Sequence, residues 1–319
     1  MELIQYVLPH AAEWENELER MRAEGILSYE KNAPLNKLSS FRIGGSVDYA
    51  VFPLTVGALV GTVRAAKAFR VPFRVFGNCT NVLFDDEGMR GCAVFMKYLD
   101  RVKIEGNLLT AEAGIPDTTL ARIAMKNGLS GMEFLYGIPG SVGGAVYMNG
   151  GAYGGEIAQI CRFVTYLDLN SGSIETNAGE ENRFGYRHSA YMDGERIVLS
   201  AVFELTPGEP EIIRASMEDL MAKRKAKQPL SFPSAGSFFK RCPPYFAGKL
   251  IEDTGLKGLT VGGAQVSEKH AGFVINKGDA TAGDVRELAA RVVSAVREKY
   301  GITLEREVEY VPVVPEWRK

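Results

Sequence analysis

The sequence predicts an α+β protein of more than one domain, β-rich in its middle and helical towards both ends. Three observations predict it. A chain of 319 residues is long for one compact core. Helical and strand periodicities alternate along it. The pattern also shifts near residue 76 and again at a turn-rich linker, Thr206–Pro207–Gly208–Glu209–Pro210.

Trp14, Leu18 and Met21 recur at helical spacing among acids, and Gly25 suits a C-terminal cap, so 10–24 is expected to be an amphipathic helix. Val47, Tyr49 and Val51 alternate like a strand after a bend at Gly44–Gly45. A second helix is expected over 55–70, with Val56, Leu59, Val60, Val63 and Ala66 inward and Arg64, Lys67 and Arg70 outward. The strand 73–76 closes what looks like a small α/β unit. From 77 to 205, short β-rich runs at 92–96, 108–114, 162–169 and 196–205 are separated by polar turns, with one helix near 117–127. A helix over 211–227 ends in Lys223, Arg224, Lys225 and Lys227, charges that complement a helix C-terminus. Beyond a Gly/Pro-rich segment with a strand at 271–276, Thr281–Ala282–Gly283–Asp284 forms a capping box for a helix over 283–300. The chain closes in a strand-like ITLEREVEYVPVV.

Composition narrows the function classes. The net charge of −2 gives no reason to expect nucleic acid or an anionic membrane as partner. The first twenty residues lack the basic lead and apolar run of a signal peptide, and no run of about 18 apolar residues occurs. Cys79, Cys92, Cys161 and Cys242 are widely spaced without a CxxC, and three histidines are scattered, so neither a disulfide framework nor a metal cluster is expected. A reduced, cytoplasmic protein is the expectation.

Chemistry concentrates in a few stretches. Eight of the nineteen residues of 137–155, GIPGSVGGAVYMNGGAYGG, are glycine. Such density costs too much conformational entropy for a regular element and lets backbone N–H groups approach a bulky anion, with a diphosphate the usual one. Tight turns joining short strands are the other reading. No GxG and no GK[ST] occurs, so neither the common dinucleotide fingerprint nor a P-loop is present. Gly77–Asn78–Cys79–Thr80–Asn81, straight after a strand, is a second candidate nest. FGYRHS, 184–189, sets Arg187, a planar fork for a carboxylate or phosphate, among aromatics; a surface ion pair is the alternative. In SAGSFFK, 234–240, Ser237 follows small residues and precedes two apolar ones, as a proton donor in a dry pocket or simply a turn serine. Glu305, Glu307 and Glu309 would share one strand face.

Taken together, SSFRIGG (39–45), GNCTNVLFDDEG (77–88), the stretch 137–156, FGYRHS, KAKQPLSFPSAGSFFKR (225–241), 247–276 and LEREVEYV (304–311) resemble the UDP-N-acetylenolpyruvoylglucosamine reductase family. The resemblance spans about 35 to 311. It implies a PCMH-type (vanillyl-alcohol-oxidase-type) FAD portion of two subdomains, 1–75 with 305–319 returning to it and 76–206, then an α+β substrate domain, 207–304. It implies FAD as cofactor, NADPH as co-substrate and a nucleotide-sugar enolpyruvyl ether as substrate, handled by a cytoplasmic enzyme expected to be monomeric. The flavin, reduced by NADPH, passes hydride to the enolpyruvyl group. Gly77, Cys79, Thr80 and Asn81, with Ile138, Pro139, Gly140, Ser141, Gly143, Gly144, Asn149, Gly151, Ala152 and Tyr153, would hold FAD. Arg187 matches the catalytic arginine, Ser237 the proton donor and Glu307 the catalytic glutamate; Arg224 and Lys227 match substrate-binding positions. No metal is implied. Cys79 and Thr80 replace the more usual Gly and Ser, and Arg241 stands where the long form of the family has an asparagine. The short interval from Arg187 to Arg196 has no room for the long form's tyrosine-bearing insertion, which implies a more open or differently covered site. A non-catalytic nucleotide-binding descendant would have no need of the three catalytic residues together, and AGSFFK speaks against a flavin oxidase of the same superfamily.

Overall fold

The computed structural model describes residue 8 and residues 10–314; the expectations for 1–7, 9 and 315–319 fall outside them. Helix α1 (Ala11–Ala23) buries Trp14, Leu18 and Met21, the positions its spacing marks. Strand β1 (Leu27–Pro34) pairs antiparallel with β2 (Ser46–Pro53), followed by α2 (Val56–Ala68), β3 (Phe73–Phe76), β4 (Val82–Phe84) and β5 (Met89–Phe95). The first sheet has the order β1-β2-β5-β3, with β5 parallel to both neighbours. The boundary expected after 75 therefore cuts this sheet: β5 comes late in the chain but lies inside it, because a parallel partner must be reached by a crossover. One face packs on α1 and α2 through Val51, Val94 and Cys92; the other buries Phe52, Phe76 and Phe95 against Phe84 and Val311. Strand β1 is absent from the sequence expectation because only Leu27 and Ala33 in it are buried, so it carries no apolar alternation.

The second unit runs through β6 (Val102–Glu105), β7 (Leu108–Glu112), α3 (Asp117–Lys126), the short β8 (Leu129–Ser130), α4 (Val142–Tyr147), a tiny hairpin β9 (Gly151–Ala152) and β10 (Gly155–Glu156), then β11 (Cys161–Asp168), β12 (Ile174–Ala178), β13 (Arg196–Glu204) and β14 (Thr206–Pro207). Its antiparallel sheet, β12-β11-β13-β7-β6, shares one continuous core with the helical face of the first. Helix α4 departs from expectation, since it lies within the glycine-rich stretch. A Cβ on Gly143 would come within 2.9 Å of that of Ala113, and Gly143 N–H reaches Ala113 O at 2.8 Å. Glycine lets this short helix press onto the residue after β7, while Val142, Ala145 and Val146 bury its other side.

Helix α5 (Pro210–Lys227) buries Ile213 and Met217 in the core of the first two units, so the boundary expected at 206–207 falls too early in the chain. The third unit comprises β15 (Ser234–Ser237), α6 (Ala247–Asp253), β16 (Thr260–Val261), β17 (Ala264–Val266), β18 (Phe273–Asn276) and α7 (Ala282–Tyr300), with sheet order β15-β18-β17-β16. The capping box is formed: Thr281 Oγ1 accepts from Asp284 N–H, and Asp284 accepts from Thr281 N–H, both at 3.0 Å. Asp86 of the first unit also accepts from Ala282 and Gly283 N–H at this helix start, at 2.6 and 3.0 Å, where the helix dipole favours an acid. Phe41 and Ile43 of the SSFRIGG motif plug the third core. The chain then returns as β19 (Glu309–Val311), parallel to β4.

Candidate active site

Five distant segments meet where the three units join. The first is the turn 77–81. Cys79 takes a left-handed φ of +49°, although it carries a Cβ; its carbonyl is held by Ser40 N–H at 3.2 Å and Oγ at 3.3 Å. Cys79 is buried, and burial pushes its thiol up to about 12, which leaves it inert. Among the described residues, the N–H groups of Asn78, Cys79 and Thr80 donate to no protein acceptor. Three successive free donors around a left-handed residue form an anion nest.

This turn is stapled to the second segment. Asn78 Nδ2 donates to the carbonyls of Pro139 and Gly140 at 3.0 and 2.7 Å. A Cβ on Gly77 would overlap Ser141 Oγ, so the two turns touch only because residue 77 is glycine. The buried Ser141 Oγ has no partner. Ile138, Pro139 and Gly140 form the turn, Gly143 and Gly144 lie in α4, and Gly151 and Ala152 lie in β9. Asn149 is placed differently from a direct ligand contact. It is 1% exposed, and its amide donates to Gly185 O at 3.0 Å and accepts from Ala158 N–H at 2.8 Å. Its side chain thus supports the Arg187 loop.

That loop, 184–189, is the third segment. Gly185 and His188 exchange backbone hydrogen bonds at 3.0 and 3.1 Å, and Arg187 sits at φ +51°. Its guanidinium lies 5.1 Å from the Tyr186 ring centre, and Nε donates to Glu307 Oε1 at 2.5 Å. The terminal nitrogens of Arg187 donate to no protein acceptor among the described residues.

The fourth and fifth segments carry Ser237 and Glu307. Phe238 O accepts from Glu307 N–H at 2.9 Å, and Lys240 N–H donates to Glu305 O at 2.8 Å, so the two segments run side by side. Asn81 Nδ2 holds the carbonyl of Glu307 at 3.1 Å, tying the nest to the returning C-terminal segment. Ser237 is exposed, not set in a dry pocket. The β15–β18 ladder slips between Ser234 and Ser237, and Gly236 at φ +77° turns the serine off the core face that Ala235 occupies. Nor do the three glutamates share a face. Only 309–311 is regular strand, and Glu305 pairs with Lys240, Glu307 with Arg187 and Glu309 with Arg74, each at 2.5 Å.

Arg224 is 6% exposed, although it lies within a basic run at the end of a helix. Nη1 donates to Gln228 at 3.3 Å, Nε and Nη2 have no partner, and burial lowers its pKa. The side chain lies by Gly137, and its guanidinium is 5.6 Å from the ring centre of Tyr153, which is exposed. A buried, partly unsatisfied guanidinium is an anion acceptor in waiting. Lys227, by contrast, is exposed. One acid escaped the sequence reading altogether: Asp117, the first residue of α3, is 1% exposed, and neither carboxyl oxygen has a partner. In the sequence it looks like any acid at a helix start. No cluster of metal-ligating side chains occurs among the described residues, and no helix there is long and apolar enough to cross a membrane.

The residues fit FAD. A nest of free N–H groups and glycine contacts without side-chain bulk suit a diphosphate.

Comparison with known proteins gives a concordant result. Residues 228–311 match the profile of the UDP-N-acetylenolpyruvoylglucosamine reductase C-terminal domain, and 47–177 match that of an FAD binding domain. The chain is 46% identical over 275 residues to the UDP-N-acetylenolpyruvoylglucosamine reductase of Streptococcus pneumoniae strain Hungary19A-6, covering 86% of this chain and 91% of that one. The reductase of strain ATCC 700669 / Spain 23F-1 gives the same identity, with 87% of its length covered. The crystal structure of the Thermus caldophilus reductase superposes with a TM-score of 0.76 at 33% identity, over 90% of this chain and 99% of that one.

Proposed function

The chain belongs to the UDP-N-acetylenolpyruvoylglucosamine reductase family, and on that premise we propose how its residues divide the work. It is an FAD-dependent UDP-N-acetylmuramate dehydrogenase of peptidoglycan precursor synthesis. With NADPH it reduces the enolpyruvyl ether of UDP-N-acetylglucosamine to UDP-N-acetylmuramate. The fold is α+β, with a PCMH-type FAD-binding portion. When bound, FAD supplies the redox step, taking two electrons from NADPH and passing them to the enolpyruvyl double bond.

The nest at Gly77, Cys79 and Thr80, with the turn Ile138–Ser141 and the start of α4 at Gly143 and Gly144, takes the diphosphate. Asn81 and Asn149 act from behind, one on Glu307 and the other on the Arg187 loop. Gly151, Ala152 and Tyr153 add to the same cofactor site. Arg187 spends Nε on Glu307, which leaves its two terminal nitrogens for the enolpyruvyl carboxylate. That cation stabilises negative charge as it builds at the carbon bearing the carboxylate. The exposed Ser237 hydroxyl, on the segment hydrogen-bonded to Glu307, delivers the proton to that carbon. Arg224 and Lys227 bind the acidic part of the nucleotide sugar. The first and second units form the FAD portion and the third the substrate domain. We further infer a monomer working in the cytoplasm on a small nucleotide sugar, without nucleic acid or membrane; for the last two the net charge of −2 offers no attraction.

The Arg187–Glu307 pair, closed beside Ser237 by residues 120 positions apart, carries this reading. NADPH oxidation by the yellow holoenzyme, with and without the enolpyruvyl substrate, tests it. A rate that rises with substrate is expected; no substrate-dependent rate, or a protein that cannot be loaded with FAD, would refute it.

A further inference from the structure

We propose that Asp117 is a positioning residue that couples the glycine turn 137–141 to a proton, supporting FAD binding when neutral and weakening it when ionised. This rests on the reading that the turn holds the FAD diphosphate. The N-terminus of α3 clamps that turn at three points. Asp117 N–H donates to Gly140 O at 3.2 Å, while Thr118 Oγ1 accepts from Gly137 N–H at 3.1 Å and donates to Ile138 O at 3.3 Å. The Asp117 carboxyl lies directly against the turn, since a Cβ on Gly140 would overlap its Oδ2. At 1% exposure, with no protein donor on either oxygen, the group is shut off from bulk solvent and nothing in the protein supports a charge on it.

Burial alone pushes this carboxyl up to about 8. The charged groups on the surrounding elements do not pair with it. Arg122 of α3 lies over the Tyr136 ring, Glu112 of β7 accepts from Arg101 N–H, Lys126 sits at the far end of α3, and Arg224 of α5 bonds Gln228. The α3 N-terminus favours the anion, but only weakly compared with burial. Near neutral pH the carboxyl is therefore protonated, and the turn faces its ligand without a like charge behind it. Once ionised, Asp117 would set a negative charge behind the turn that is read as holding the diphosphate. At low effective dielectric that repulsion lowers affinity by about tenfold to a hundredfold. Linkage runs both ways, so diphosphate binding must also tighten the proton on Asp117.

The test titrates flavin-free protein with FAD and follows quenching of flavin fluorescence from pH 6.5 to 9.5. The wild-type Kd is expected to rise by about tenfold or more across that range, whereas D117N stays within about twofold. The Cys79 thiol titrates above this window and does not blur it. A second measurement needs no variant: calorimetry of wild-type FAD binding near pH 8.5, in buffers of different ionisation heat, should show proton uptake. Equal pH dependence in wild type and D117N, or binding without proton uptake, would overturn the proposal while leaving the FAD site intact. A wild-type protein that binds no FAD at any pH would overturn the diphosphate reading and this proposal with it.

Discussion

Breaking the Arg187–Glu307 pair should cost more than losing a surface ion pair, and a double-mutant cycle can measure how much. The side chains are 20% and 9% exposed, and Nε meets Oε1 at 2.5 Å. An exposed pair is worth about 0–1 kcal/mol, whereas removing one partner of a fully buried pair costs about 3–5 kcal/mol. This site lies between those limits, closer to the buried one on the glutamate side. Arg187→Ala leaves a nearly buried carboxylate without its cation and should cost about 2–3 kcal/mol. Glu307→Gln keeps the shape, and its backbone stays anchored by Phe238 O and Asn81. It should therefore cost less, about 1–2 kcal/mol. The double variant should be less destabilised than the sum of the two, with a coupling of about 1–2 kcal/mol. Urea unfolding of the four proteins at pH 7 reads each value. A coupling below about 0.5 kcal/mol, within ordinary additivity, would refute the idea that this pair locks the loop 184–189 to the returning C-terminal segment.

The remaining predictions concern single groups. Ser237→Ala should change stability by less than about 0.5 kcal/mol, because the hydroxyl is exposed. Stopped-flow measurement should show flavin reduction by NADPH nearly intact and flavin reoxidation by substrate slowed about 10²- to 10⁴-fold; equal loss in both halves would contradict the donor role. Gly77→Ala drives a Cβ into Ser141 Oγ, so FAD affinity should fall, and adding Ser141→Ala should restore part of it; no recovery in a fluorescence titration would place the clash elsewhere. Asp117→Asn makes a stability prediction with a definite sign. The folded carboxyl titrates near 8 against 3.8 unfolded, so the folded state holds the extra proton between those values. Wild-type stability is intact below about pH 4 and falls as pH rises towards 8. At pH 7 the asparagine variant should be the more stable by up to about 4 kcal/mol, with no advantage near pH 4; the reverse ranking in urea melts would refute a neutral Asp117.

What could be read without coordinates was whatever neighbours in sequence decide. Helices α1, α2, α5 and α7 announce themselves through apolar spacing and, for α7, through the Thr281–Asp284 box, because a helix satisfies its backbone locally. The glycine turns, Arg187, Ser237 and Glu307 stand out through motif, and the motifs carried the family. Tertiary structure alone decided the rest. Strand β5 slots between β2 and β3 through partners far away in the chain. Helix α4 exists because packing on Ala113 outweighs the helix-breaking cost of its glycines. Glu307 differs from Glu305 and Glu309 in its burial and in the cation that a distant loop brings to it. Asp117 is an ordinary helix-start acid until the turn 137–141 closes over it and removes its water. Which residues could bind a diphosphate, grip a carboxylate and give up a proton was legible from residue type, because those capacities belong to side chains and backbone. Which of them face one another, and which lose their solvent, was set by non-local packing, because burial and charge pairing depend on segments that meet only in the folded chain.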